Sequence, residues 1–182
     1  MSETIELVFT ILGSSATAAA VIVSLWQINL EKRRRNDEIR RSQAEKVSSW
    51  FQDGAESSRP KDESFVWQYV ALRNESSAPV YNVVITCVGI QGAGPAERGE
   101  ESGCDYRCRS LVNVLPPGEW GVWLPTHGHG MSIVLGTELA FCDARGVSWV
   151  RRGNGALEEI PKGPQVFYGI DLPCSWGRCE RR

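Results

Sequence analysis

The chain has little histidine and little methionine, two of each in 182 residues. It has no charged residue from Leu7 to Leu30. Its cysteines never stand two residues apart in a Cys-x2-Cys pair, which excludes a standard zinc finger. No glycine-rich loop runs into Lys-Ser or Lys-Thr; Gln91-Gly-Ala-Gly-Pro95 lacks the lysine and any helical pattern after it, so it reads as a loop and not a phosphate cradle. No nucleophile elbow or triad signature is present. Basic charge is not in excess either, with a formal net charge of −2 and a pI near 5.8, which excludes the electrostatic footprint of a generic nucleic-acid binder. The sequence therefore reads as non-enzymatic. Aromatic residues are plentiful: seven Trp, five Phe and four Tyr can drive burial, which excludes a disordered chain. The length suits one domain of ordinary size with an appendage.

Leu7 to Leu30 is 24 uncharged residues. As a helix it would extend roughly 36 Å, enough to cross a hydrocarbon core of ~30 Å with some tilt. Trp26 sits near one end, where an amphipathic ring favours the headgroup zone. The start of the chain carries Glu3 and Glu6 and no Lys or Arg, the wrong flank for a cleaved signal peptide. Residues 1–30 are thus expected to hold a transmembrane helix at about 7–30. No ionisable residue lies inside it, so a proton or ion relay is not expected. Gly13 and Thr17, Ser14 and Ala18, and Ser15 and Ala19 place small residues four apart, a spacing that lets two helices approach and self-associate.

Directly after this stretch come Lys32, Arg33, Arg34, Arg35, Arg40 and Arg41. A basic flank stays in the cytoplasm, so the expected topology is a single pass through the cell membrane, N-terminus outside and C-terminal domain cytoplasmic. The collar would also meet anionic lipid. Glu31 with Arg35 and Asp37 with Arg41 are i,i+4 pairs, and Ile39, Gln43, Val47 and Phe51 form a stripe, so the sequence predicts a basic amphipathic juxtamembrane helix over 31–52. Residues 53–64 lack an apolar period and contain Pro60; they read as a linker.

From Phe65 the pattern becomes short runs of β-branched and aromatic residues. Phe65 to Arg73 alternates, with Phe65, Trp67, Tyr69 and Ala71 on one side. Further strands are expected at Val80–Ile90, Leu111–Leu115, Trp120–Leu124, Ser132–Leu135, Glu138–Cys142, Val147–Arg151 and Ala156–Ile160. Asp143-Ala-Arg-Gly146 and Asn154-Gly155 mark turns between the last of them. The expected fold class is mainly β: an Ig-like antiparallel β-sandwich over 65–163, preceded by a long N-terminal α-helix. Residues 164–182 form a Cys- and aromatic-containing tail in which Phe167, Tyr168 and Trp176 favour docking.

The motifs Asn74-Glu-Ser-Ser-Ala-Pro79-Val-Tyr81-Asn-Val83, Pro116-Pro-Gly118-Glu119, Phe141-Cys-Asp143-Ala-Arg-Gly146-Val-Ser-Trp149-Val-Arg151 and Gly155-Ala-Leu157 follow in this order. In this the chain resembles a group of uncharacterised actinomycete proteins with one membrane helix, a basic helix and a small β-sandwich. The resemblance covers about Arg33 to Ile160 and implies an architecture, with no activity attached. The residues explain themselves as turns and core: Asp143 and Gly146 close a hairpin, and Trp149 is the large anchor beyond it.

Six cysteines remain to be placed. Cys87 and Cys142 lie within strand runs and read as small apolar residues. Cys104, Cys108, Cys174 and Cys179 form two close pairs that would offer Zn²⁺ four thiolates if the fold joined them, although neither spacing demands metal; disulfides or plain thiols are the other readings. His127 and His129 alternate in a Gly-flanked loop with no third ligand nearby. Glu100, Glu101 and Asp105 read as a solvated loop. Three functions compete: a membrane-tethered module binding an unknown protein partner, without cofactor; a metal- or redox-responsive regulator using the four cysteines; and a membrane-perturbing homo-oligomer built through the transmembrane helix.

Overall fold

A computed structural model describes residues 21, 23–39, 41–54, 59–62, 64–92, 96–101, 108–126 and 132–181. They form two compact units that divide between Ser42 and Gln43.

In the first unit the described residues 21, 23–39 and 41 are helical (α1) and exposed. Lys32, Arg33, Arg34, Arg35 and Arg41 all lie on this helix. Ser42 ends it: its N–H donates to Glu38 O at 3.0 Å and its hydroxyl to Ile39 O at 2.8 Å. Among the described residues no helix is long and apolar enough to cross a membrane. Most of the expected span, with Gly13, Ser14, Ser15, Thr17, Ala18 and Ala19, lies outside the described residues, as does Arg40.

The amphipathic helix does not run to residue 52. The chain makes a 3-10 turn at Ala44–Lys46 and then enters strand β1 (Val47–Phe51). Tertiary contacts override the helical spacing here. Ala44 and Val47 are fully buried in the core of the second unit. The Gln43 amide donates to the carbonyls of Ala78 and Pro79 and accepts from Ala144 N–H at 3.0 Å, so it pins two turns that are distant in sequence. β1 and β2 (Val66–Asn74) pair in one sheet, so the stretch read as a linker lies within the second unit rather than before it; residues 55–58 and 63 of it lie outside the described residues.

The second unit is mainly β. Strands β3 (Val80–Gln91), β4 (Arg109–Leu115), β5 (Gly118–Thr126), β6 (Val134–Cys142), β7 (Ser148–Arg151), β8 (Leu157–Glu159) and β9 (Glu180–Arg181) complete two antiparallel sheets. One has the order β1-β2-β5-β9, the other β4-β3-β6-β7-β8. The two runs expected at 132–135 and 138–142 are a single strand. It continues through Gly136 because β3 pairs along both runs, Thr86 opposite Glu138 and Val88 opposite Gly136, and Ile90 packs where a Cβ at Gly136 would stand. The main core lies between the sheets and joins Val70, Leu72, Val122 and Leu124 to Val83, Ile85, Phe141 and Trp149. A β-sandwich results, as the alternation of short apolar runs implied.

The turn motifs act as the sequence suggests. Asn74 is buried and donates to Ala78 O and Leu115 O while its Oδ1 accepts from Ser76. Asp143, also buried, accepts the N–H groups of Arg145 and Val147 on Oδ1 and the indole N–H of Trp149 on Oδ2 at 3.0 Å. One carboxylate thus closes the hairpin and satisfies the polar atom of the largest core side chain.

The tail docks. Helix α2 (Pro164–Phe167) and the residues after it cover the outer face of the five-stranded sheet, where Tyr168 and Ile170 join Val84, Leu111, Ala140, Val150 and Ile160 in a second buried cluster. Gly177 N–H then bonds Leu111 O at 2.7 Å, and β9 pairs with Trp120 and Gly121 of β5.

Some outward carbonyls of the four-stranded sheet are capped by side chains. On β1, Arg151 Nε donates to Val47 O at 2.7 Å and Thr137 Oγ1 donates to Ser49 O at 3.0 Å. On β5, the Ser110 hydroxyl donates to Trp123 O at 2.5 Å, and Pro125 has no N–H to offer.

Candidate functional site

Two places in the second unit carry polar chemistry beyond turns and caps. The first is a buried ionic network on the outer face of the five-stranded sheet. Alternation along β6 sends Leu139 and Phe141 to the main core and leaves Glu138 on the side of Ala140, beneath the tail. Glu138 is fully buried. Its Oε1 accepts Tyr168 O–H at 2.7 Å and Gly99 N–H at 3.0 Å; its Oε2 accepts Arg152 Nη1 at 3.1 Å. Arg152 reaches Glu100 at 2.7 Å and, through Nη2 and Nε, Glu158 at 2.9 and 3.1 Å. Arg109 donates to the carbonyls of Tyr168 and Gly99 and lies 4.8 Å over the Tyr168 ring.

This arrangement fixes the charges. Burial works against the Arg152 cation, but the hydrogen bonds it donates to Glu100, Glu158 and Glu138 outweigh it and hold its pKa above the ordinary value. Burial likewise opposes ionisation of Glu100, and the bond from Arg152 overcomes it, leaving Glu100 below its ordinary value. Burial, reinforced by the Glu138 charge, pushes the Tyr168 phenol well up. Each Glu138 oxygen is already bonded, and Arg152 spends its donors on three carboxylates. A cavity of about 260 Å³ opens beside Arg152 and Glu158, but both groups are engaged with each other there. The network is a clamp joining β6, β7, the segment at 99–100 and the tail. Glu100 is therefore not the solvated loop residue the sequence suggests.

The second place is a groove of about 460 Å³ at one end of the four-stranded sheet. Val70 and Leu72 of β2 face the main core, so Trp67, Tyr69 and Ala71 take the outer face. In β5, Val122 and Leu124 face the core, so Trp123 joins them, directly opposite Tyr69. The side carrying Trp67 and Tyr69 is thus the outward one. The Tyr69 and Trp123 rings meet edge to face, with centroids 5.1 Å apart and planes at 67°. The Trp67 indole is fixed by donating to Asp62 O at 2.8 Å. Tyr69 lies across Gly121, where any side chain would collide with its hydroxyl, and Gly54 passes over the ring. Asp53, Gln52 and Arg59 add polar groups at the rim. Tyr69 itself is buried, and Trp67 and Trp123 are half-buried, so the groove is lined largely by polar groups with the rings only partly open to it.

The structure does not bring the described zinc candidates together. Cys174 packs against the cluster around Val84 and Leu111, whereas Cys179 packs against the main core and Cys108 is buried at the start of β4. Burial pushes the Cys179 thiol above its ordinary value. Among the described residues there is no group of three metal-ligating side chains. Cys104, His127 and His129 lie outside the described residues. Cys87 is buried in β3 and Cys142 half-buried in β6, as expected of small strand residues.

Sequence reasoning missed the clamp, although Glu138 alone among the apolar residues of its strand was a signal. The groove was half visible as the Phe65–Ala71 alternation. Compared with protein-family models, curated proteins and solved structures, the chain matches none.

Proposed function

We propose that the chain is a non-enzymatic, membrane-tethered binding module. It holds an Ig-like sandwich at the inner face of the cell membrane and takes its ligand or partner on the outer face of the four-stranded sheet. The observation that carries this reading is the aromatic groove formed by Trp67, Tyr69 and Trp123. Tyr69 is buried, but Trp67 and Trp123 stay half-buried on this face, while Val70, Leu72, Val122 and Leu124 fill the other side of the same strands. Large aromatic side chains beside polar groups are the anchors that binding surfaces favour. On β1 and β5 the carbonyls of Val47, Ser49 and Trp123 already have side-chain donors, which disfavours strand addition at those two strands. The tether is supported by the 24 uncharged residues from Leu7 and by the basic collar that follows.

The test is photo-crosslinking in intact cells from a probe at Gln52 on the groove rim, set against a probe at Glu159 on the opposite sheet. A discrete adduct from the groove alone, in the membrane fraction, is the expected result. Equal labelling from both positions, or a protein that partitions wholly into the soluble fraction, refutes the reading.

A further inference from the structure

We propose that the end of the tail, residues 171–181, is a thiol-controlled strap: it lies across the edge of the sandwich while Cys174 and Cys179 are reduced, and leaves it when the two are joined in a disulfide. The strap is independent of both the groove and the tether.

The two cysteines are the side chains that hold this segment down. Every residue from 171 to 181 is exposed except Cys174 and Cys179, which are half-buried. They are seated in different places. Cys174 packs with the outer cluster of Val84 and Leu111, and Cys179 packs against the main core between the sheets. Between them the backbone crosses β4, where Gly177 N–H bonds Leu111 O at 2.7 Å. A Cβ at Gly177 would stand 3.2 Å from that same oxygen, so glycine permits the close crossing. After Cys179 only the two-residue strand β9 follows, paired with Trp120 and Gly121.

Docking and joining exclude one another. Residues 174–179 contain neither a turn nor a bend. At about 3 Å per residue, such a run holds its two end Cα atoms roughly 15 Å apart. A disulfide needs Cα atoms about 4.4–6.8 Å apart and Cβ atoms that face each other. The docked cysteines meet neither condition, because the clusters they join lie on opposite faces of the five-stranded sheet. Off the sheet, the intervening Ser175, Trp176, Gly177 and Arg178 make a short loop that closes at small entropic cost. Oxidation therefore captures the open form and draws the equilibrium towards it.

The opening has a fixed limit. Tyr168 O–H donates to Glu138, Arg109 donates to Tyr168 O, and Ile170 N–H bonds Gln165 O. The tail up to Ile170 thus stays docked, and the exposed residues 171–173 act as the hinge.

The oxidant is a small disulfide, for which glutathione disulfide is the probe. One released cysteine thiolate attacks a sulfur of the oxidant and expels a glutathione thiolate. The second cysteine attacks the mixed disulfide and expels the other. The chain loses two protons and two electrons, and the oxidant ends as two thiols. A dithiol reductant reverses both steps.

The experiment is hydrogen exchange read by mass spectrometry, with disulfide mapping, on the full-length chain in maltoside micelles. It is run before and after equilibration with glutathione disulfide. The expected result is a Cys174–Cys179 bond, with exchange in the peptide 175–181 at least tenfold faster and that in 165–170 unchanged. Dithiothreitol should restore the original protection. Cys174→Ala leaves Cys179 seated and removes the internal partner, so it should show no acceleration at the glutathione ratio that half-oxidises the unsubstituted chain. Three outcomes overturn the inference. They are a Cys174–Cys179 bond that leaves exchange at 175–181 unchanged, mixed glutathione adducts without the internal bond, and pairing of either cysteine with Cys104 or Cys108 instead.

Discussion

Replacing Glu138 by Gln should destabilise the sandwich by about 3 kcal/mol, although the two side chains have nearly the same shape. The carboxylate accepts three hydrogen bonds, from Tyr168 O–H, Gly99 N–H and Arg152 Nη1. A glutamine has one acceptor oxygen. If that oxygen keeps Tyr168 and Gly99, its NH2 faces the Arg152 guanidinium, donor against donor, in a site from which water is excluded. The lost charge-assisted bond is worth roughly 1.5–3 kcal/mol. Removing one member of a buried pair costs about 3–5 kcal/mol when the other is left alone, but Arg152 keeps Glu100 and Glu158, so the lower end applies. The assay is urea unfolding of the full-length chain in maltoside micelles, read by tryptophan fluorescence. In a thermal scan the same loss should lower Tm by roughly 10 °C. Tyr168→Phe removes a single neutral donor and leaves Gly99 on the same oxygen, so it should cost only ~1 kcal/mol. A stability for Glu138→Gln within about 0.5 kcal/mol of the unsubstituted chain would refute the clamp, since that is the scatter of surface substitutions.

Three further outcomes follow from the same geometry. Gly99→Ala should destabilise by ~1–3 kcal/mol in urea unfolding, because a Cβ there would overlap Thr86 Cγ2 and stand 2.6 Å from Glu138 Oε1. Asp143→Asn should cost about 2 kcal/mol, because the new NH2 must face either the Trp149 indole or the two backbone donors at Oδ1; a near-ultraviolet circular dichroism change at Trp149 would accompany it. Acid should weaken the fold through Glu100. Its folded pKa lies below the ordinary 4.5, so between the two values the unfolded chain binds more protons, and stability falls as pH drops through that window. Glu100→Gln should flatten the profile below about pH 5, as read by unfolding midpoints across pH.

Most strands were legible because they are half-buried and alternate, or because they end in turn residues with one physical role each. Asn74, Asp143 and Gly146 needed no partner from afar to be read. β1 was not legible, since Val47 and Phe51 satisfy both a helical stripe and a strand, and only pairing with β2 decides between them. The clamp was invisible for a related reason. Glu100, Glu138, Arg152, Glu158 and Tyr168 are scattered over 69 positions and meet only when the tail folds back. The groove lay between these cases. Alternation put Trp67 and Tyr69 on one side, but which side faced outward depended on the sheet opposite.

The side chains that close the β1 edge set an order of events during synthesis. Val47 waits for Arg151, 104 residues later, and Ser49 waits for Thr137, 88 residues later. Long-range contacts of this kind slow folding, because the intervening loop must close before they form. Polypeptide emerges at about 5–20 residues per second, so several seconds separate the appearance of β1 from that of the arginine that holds it. The tail delays completion further, since Tyr168 and β9 come last of all. The sandwich is therefore completed only once the tail has emerged, with β1 exposed for most of that interval.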